Sequence, residues 1–274
     1  MGFPFLVWRK IMYPFLEIFN LKIPMYAIMI MVGFLFAFLV FNLLIKEELK
    51  TVDKILFSIY VFLGGLVGAK ILAMIVAIPY FFNASFNFFK WGMNSGMVYF
   101  GGVLGAFLMG ELYIKLYGLK PEKIWDKVIA VLPLGQVFGR IGCFCAGCCY
   151  GVESEKLGLV FPYITNKNLE GVKLLPTQLI EASFCLIVFV FLIILSKKTT
   201  KEYLILLVYS ISYGVFRFMI EFFRGDETRG IFILSTSQWI AILLIAFGFV
   251  LYFTNLKKTK FFKETPPLIK QTKN

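Results

Sequence analysis

The run Gly139-Arg140-Ile141-Gly142-Cys143-Phe144-Cys145-Ala146-Gly147-Cys148-Cys149-Tyr150-Gly151 puts one cation and four thiols at the end of an apolar stretch. An arginine at bilayer depth costs about 2.5 to 3.5 kcal/mol on insertion scales, so Arg140 is a functional candidate by default. A second group, Arg217, Glu221, Arg224 and Asp226, closes another apolar stretch. Steps of four and then three residues stack Arg217, Glu221 and Arg224 on one helix face and allow an Arg217–Glu221 ion pair. Cations held in a low-dielectric crevice suit a phosphodiester, which a guanidinium grips through two parallel hydrogen bonds. The plainer alternative is that Arg217 and Glu221 only neutralise each other and pin two helices. Arg140 and Lys70, both in apolar surroundings, favour the anion site.

The elements that must position these groups are membrane spans. The chain is 59% hydrophobic and 16% charged, more apolar surface than a soluble core of 274 residues can hide. Apolar runs of about 20 residues or more cover Ile23 to Ile45, Ile55 to Phe82, Met97 to Tyr117, Ile124 to Cys145, Leu179 to Leu195, Tyr203 to Phe223 and Ser237 to Phe253. The expected fold class is therefore an all-α integral membrane protein of roughly seven transmembrane helices. Pro133, Gly135, Gly139, Gly142 and Gly147 interrupt the fourth. The first run is too long for a cleavable signal and reads as a retained span. Without internal repeat, soluble domain or linker, residues 1–274 read as one membrane domain.

Lysines set the orientation. The chain carries 28 Lys and Arg against 16 Asp and Glu, a net charge of +12. In a membrane protein that excess points to lipid and topology, not to nucleic acid. Lys46, Lys50 and Lys54 follow the first span, Lys120, Lys123 and Lys127 the third, Lys197, Lys198 and Lys201 the fifth, and Lys257, Lys258, Lys260 and Lys263 the last. The positive-inside rule makes these exits cytoplasmic, which places the N-terminus outside and the C-terminus in the cytoplasm. Tyr26, Tyr99, Phe100, Arg140, Gln178, Glu181, Arg217, Glu221 and Gln238 then all fall near the outer face, within reach of an outer-leaflet head group. Gly64, Gly65, Gly68, Gly101, Gly102 and Gly105 suit either close helix packing or a site.

The segments Gly139-Arg140-Ile141-Gly142-x-Phe144, Gly214-Val215-Phe216-Arg217-Phe218-x-x-Glu221-Phe222-x-Arg224-x-Asp226, Pro176-Thr177-Gln178-Leu179-x-Glu181 and Ser235-x-x-Gln238-Trp239 resemble those of the bacterial prolipoprotein diacylglyceryl transferases. Gly64-Gly65-Leu66-Val67-Gly68-Ala69-Lys70, Gly101-Gly102-x-x-Gly105 and Tyr26 fit the same pattern. The resemblance implies a multi-pass inner-membrane enzyme that moves the diacylglyceryl group of phosphatidylglycerol onto a prolipoprotein cysteine and releases glycerol phosphate. It implies that Arg140 and Arg217 bind the phosphate, that Glu221 orients Arg217 and that Tyr26 lines the lipid entrance. Lys70, Tyr99, Phe100, Gly101, Gly102, Cys143, Gln178, Glu181, Arg224, Asp226 and Gln238 complete the expected substrate-binding set. The partners are phosphatidylglycerol or a related anionic phospholipid and a prolipoprotein or other acceptor, with no cofactor and no metal.

The chain departs from the family on the acceptor side. The family's histidine-Gly-Gly appears as Phe100-Gly101-Gly102, and the chain has no histidine at all. Gly-Asn-Phe-x-Asn-Gly-Glu becomes Gly142-Cys143-Phe144-Cys145-Ala146-Gly147-Cys148. A thiol made more acidic by Arg140 would serve as nucleophile, base or transient lipid acceptor, with Cys148 the first candidate. A disulfide from Cys148 or Cys149 to Cys143 or Cys145 is the second reading, and metal binding by Cys-x-Cys-x-x-Cys-Cys is the third. Cys185 reads as a small packing residue. Alternatives to a transferase are a non-catalytic lipid-binding or assembly protein and a thiol redox or metal protein on the same scaffold.

Overall fold

The structure, a computed structural model, describes residues 13–19, 21–45, 49–78, 98–199, 201–225, 230–231 and 233–256. Its helices in chain order are α1 (Met25–Leu44), α2 (Thr51–Val76), α3 (Tyr99–Tyr117), α4 (Pro121–Cys145), α5 (Thr177–Lys198), α6 (Leu204–Ile220) and α7 (Thr236–Leu256). All seven are long and apolar enough to cross a membrane. The expectation of an all-helical chain needs one addition. Among the described residues, three two-stranded antiparallel pairs accompany the helices: Phe15–Ile18 with Leu21–Pro24 ahead of α1, Leu159–Val160 with Lys173–Leu174 between α4 and α5, and Gly230–Ile231 with Leu234–Ser235 between α6 and α7.

Local chemistry fixes several boundaries. α3 stops where Gly118 takes a left-handed φ of 63° and returns its N–H to the Ile114 carbonyl, and Pro121 then opens α4, where its missing N–H is no loss. Pro133 does not break α4, which runs continuously to Cys145. Ser235 and Gln238 cap the start of α7 reciprocally: Ser235 N–H donates to Gln238 Oε1 (2.9 Å), and Gln238 N–H donates to Ser235 Oγ (3.2 Å).

The helices form two compact units, one of α2 and α3, the other of α1, α4, α5, α6 and α7. In the first, α2 and α3 cross on glycine. A Cβ built on Gly64 would meet the Gly105 carbonyl oxygen at 2.5 Å, and one on Gly68 would fall on the Gly101 carbonyl. Such contact requires bare backbone on both helices. At one end of the pair, fully buried Tyr113 donates a hydrogen bond to Asp53 Oδ1 (3.1 Å), between the rings of Phe57, Tyr60 and Tyr117.

In the second unit, Ala130, Val188, Leu192, Ile205 and Tyr209 form a buried core between α4, α5 and α6, and Phe184 stacks on Phe216 at 3.8 Å. Outward faces are apolar, with Leu43, Ile187 and Leu243 exposed by about two thirds or more. That inversion suits hydrocarbon as solvent. One end of this unit carries Lys127, whose Nζ donates to the Ser196 carbonyl (3.4 Å), and Asp126, whose Oδ1 accepts from Leu206 N–H (3.3 Å). The arginines occupy the other end.

Candidate functional site

α4 delivers Arg140 one turn before its end, and α1 lies close because Gly142 lets it. A Cβ on Gly142 would stand 3.1 Å from Met29 Cβ and 3.1 Å from Tyr26 Cδ2, so glycine brings Tyr26 against the last turn of α4. Arg140 Nη2 lies 2.7 Å from Glu181 Oε2 in the first turns of α5. Glu181 is buried, with 1% of its side chain exposed, and takes two more guanidinia: Arg217 Nη1 at 3.6 Å and Arg224 Nη1 at 3.2 Å, both on Oε1. Arg217 Nη2 in turn meets Glu221 Oε2 at 2.6 Å and donates to Ser237 Oγ at 2.9 Å. Among the described residues, three arginines against two carboxylates leave one formal positive charge in a buried cluster. Among the described residues, Arg217 Nη1 is in ion contact only, without a hydrogen-bond acceptor, and is a buried donor able to take an anion's oxygen.

The sequence placed Arg224 on the same helix face as Arg217 and Glu221, and the structure corrects this. α6 ends at Ile220, residues Glu221–Phe223 form a 3₁₀ turn, and Arg224 is extended (φ −79°, ψ 133°) in a β-bridge with Gly151. Gly151 has no room for a Cβ, which would lie 2.6 Å from the Phe223 carbonyl oxygen and 2.8 Å from Thr177 Cγ2. Arg224 still reaches Glu181, but from a strand-like segment tied to the loop after α4. Glu181, expected as a substrate contact, is the hub of the cluster.

Beyond Cys145 the chain turns sharply. Gly147 and Cys149 both adopt φ of 62°, and Gly147 sits against the Tyr163 backbone while its carbonyl accepts from Thr165 N–H (3.1 Å) and Oγ1 (3.2 Å). Phe144, Tyr150, Phe161, Ile164 and Leu174 pack beneath this turn. It gathers Cys143, Cys148 and Cys149, whose sulfurs all lie within 4.8 Å of one another. All five cysteines are free thiols. Hydrogen bonds among Cys143, Cys148 and Cys149 hold the Cys149 thiol well below its ordinary pKa, with Arg224 and Arg140 adding attraction against the cost of burial. Gln178 Nε2 donates to the Cys148 carbonyl (2.6 Å) and Thr177 Oγ1 to that of Cys149 (2.8 Å), so the start of α5 carries both the thiol turn and the arginine hub.

The sequence profile described as prolipoprotein diacylglyceryl transferase matches residues 14–254. The chain belongs to that family. It is 35% identical over 255 residues to phosphatidylglycerol–prolipoprotein diacylglyceryl transferase 2 of Clostridium perfringens strain 13, covering 91% of this chain and 96% of that relative. Identity to the Clostridium tetani protein named phosphatidylglycerol–prolipoprotein diacylglyceryl transferase is 35% over 240 residues, 86% and 94% of the two chains. To the Francisella tularensis subsp. novicida protein of the same name it is 32% over 211 residues, 74% and 76%.

Of the residues that the resemblance to this transferase family selects, Tyr26, Arg140, Cys143, Cys148, Gln178, Glu181, Arg217, Glu221 and Arg224 gather at one end of the five-helix unit. Gln238 is buried there too, with its side-chain oxygen engaged in the α7 cap. Lys70, Tyr99, Phe100, Gly101 and Gly102 belong to the α2–α3 unit. Gly101 is committed to the helix crossing against Gly68 and Leu72, and Gly102 faces Gly65, while Phe100 is 38% exposed in the first turn of α3. The side chain of Tyr99 and all of Asp226 lie outside the described residues. Sequence reasoning assigned no role to Thr177 within its quoted segment and did not single out Ser237; their hydroxyls hold the cysteine turn and Arg217.

Proposed function

We propose that this chain transfers the diacylglyceryl group of phosphatidylglycerol to the cysteine thiol of a prolipoprotein, as a multi-pass enzyme of the bacterial inner membrane. The observation that carries the reading is the buried cluster of Arg140, Arg217 and Arg224 around Glu181, with its surplus positive charge and the open donor on Arg217. The acceptor sulfur attacks the glyceryl carbon that bears the phosphate, the carbon–oxygen bond breaks, and its electron pair leaves on the phosphate oxygen as glycerol phosphate. The phosphate gains one negative charge in that step. Guanidinia fixed by buried carboxylates stabilise such charge as it develops, without having to reorganise.

In this reading Arg140 and Arg217 touch the phosphate, Glu221 positions Arg217, and Glu181 holds the three arginines together against their mutual repulsion. Tyr26 lines the lipid entrance, and Cys148 is a candidate to act on the acceptor side. The lysine distribution orients the arginine end toward the outer leaflet, with the N-terminus outside and the C-terminus cytoplasmic. Because the family profile runs from 14 to 254 across both units, they are read as one functional domain.

The test is product analysis. Purified protein incubated with labelled phosphatidylglycerol and a lipobox peptide should yield a thioether-linked diacylglyceryl peptide and glycerol phosphate, resolved by mass. Unchanged lipid and peptide would leave the chain a lipid-binding protein.

A further inference from the structure

An acceptor thiol must lose its proton before it attacks carbon, and this chain has no histidine to take it. It has instead Cys143, Cys148 and Cys149, with all three sulfurs within 4.8 Å of one another. Tetrahedral zinc with Zn–S of about 2.3 Å places its sulfur ligands about 3.8 Å apart, so small side-chain rotations bring this trio to metal-binding distance. The turn is built for it. Cys149 holds a left-handed backbone that a non-glycine residue adopts at a cost of about 1–3 kcal/mol, and such conformations persist where the surroundings enforce them. Thr177 and Gln178 fix the carbonyls of Cys149 and Cys148, the kind of outer support that orients metal ligands. Three thiolates on a divalent ion carry a net negative charge, and the arginine cluster beside them has a positive charge to spare.

We propose that Cys143, Cys148 and Cys149 bind a zinc ion whose fourth position takes the acceptor thiol of the transfer reaction; the role of that fourth position rests on the function proposed above. Three protein ligands with one open place is the arrangement of catalytic zinc, and a thiol that coordinates is deprotonated outright. The proton passes to water. The zinc-bound sulfur then uses a lone pair on the glyceryl carbon, the carbon–oxygen pair departs with glycerol phosphate toward the arginines, and the thioether product leaves the zinc with its three cysteines.

The experiment uses the full chain purified in detergent under reducing, anaerobic conditions. Zinc content should be about one ion per chain. It should fall more than about tenfold in Cys143→Ser, Cys148→Ser and Cys149→Ser and hold in Cys145→Ser. Thr177→Val, which keeps all three ligands, should weaken zinc binding by about 10- to 100-fold. Cobalt(II) replacing zinc should show sulfur-to-metal charge-transfer absorption that rises when a lipobox peptide is added and not when its cysteine is serine. Zinc no higher than in a triple-serine variant, or a disulfide among the three cysteines under these conditions, would overturn the site. Full transfer by zinc-free protein would overturn its role and leave the transferase reading intact. Stoichiometric zinc with the cobalt response but no transfer from phosphatidylglycerol would sustain the site and sink the transferase reading.

Discussion

The α2–α3 crossing and the arginine cluster join helices by opposite means. Where α2 crosses α3, glycines remove side chains until backbone meets backbone. Where α4, α5 and α6 converge, long charged side chains fill the space and three guanidinia share one carboxylate. The glycine crossing needs no partner beyond shape. The charged convergence must be held in balance, and it leaves an unspent donor on Arg217. Burial alone therefore does not mark the site; burial with an incomplete set of partners does.

The largest expected effect breaks the charged side of that contrast. Glu181→Ala leaves three arginines without their common counter-ion, and breaking a buried pair in this way costs about 3–5 kcal/mol. Thermal unfolding in detergent should show it, and an unchanged midpoint would mean that the arginines are held by something else. Next come Arg140→Ala and Arg217→Ala. Each should lower turnover by at least about a hundredfold, equivalent to roughly 2.7–4 kcal/mol of lost transition-state stabilisation. Arg217→Lys should recover little, since a point charge cannot replace the fork that joins Glu221, Ser237 and an anion. Near-normal rates in both alanine variants would reduce these arginines to structural partners.

The glycine side should respond in a different currency. Gly68→Leu forces a side chain onto the Gly101 backbone and should cost stability, about 1–3 kcal/mol by overpacking, read as a lower yield of folded protein. A lower turnover number per folded molecule with unaltered stability would blur the comparison. Smallest is Gly142→Ala, whose methyl meets Tyr26 and Met29 at 3.1–3.2 Å and asks them to yield a few tenths of an ångström. About 1 kcal/mol is expected, visible as a modest shift in unfolding midpoint.

Much of this arrangement is legible in the sequence. Length and hydropathy mark seven spans, and the arginines in apolar runs announce themselves by their cost. The Arg217–Glu221 pair follows from helical spacing alone and is found at 2.6 Å. Glu181 as hub is not legible, because its partners come from other helices; Arg224 lies 43 residues away in sequence. Arg224 also defeats periodicity, since the backbone leaves the helix at Ile220 to pair with Gly151, a contact between distant segments. Four nearby cysteines suggest several groupings, and only the left-handed turns at Gly147 and Cys149 select three of them.

α5 is fastened to α4 and its following turn at both ends: at one by Arg140 on Glu181 and by Thr177 and Gln178 on the cysteine carbonyls, at the other by Lys127 on Ser196. Two rods joined top and bottom cannot scissor apart. They form a strut, to which Arg217 on Glu181 and Leu206 on Asp126 tie α6 at both ends as well, and any parting of this unit that admits a two-tailed lipid falls to α1 and α7. A covalent link between α4 and α5 at mid-depth should therefore leave lipid entry unimpeded.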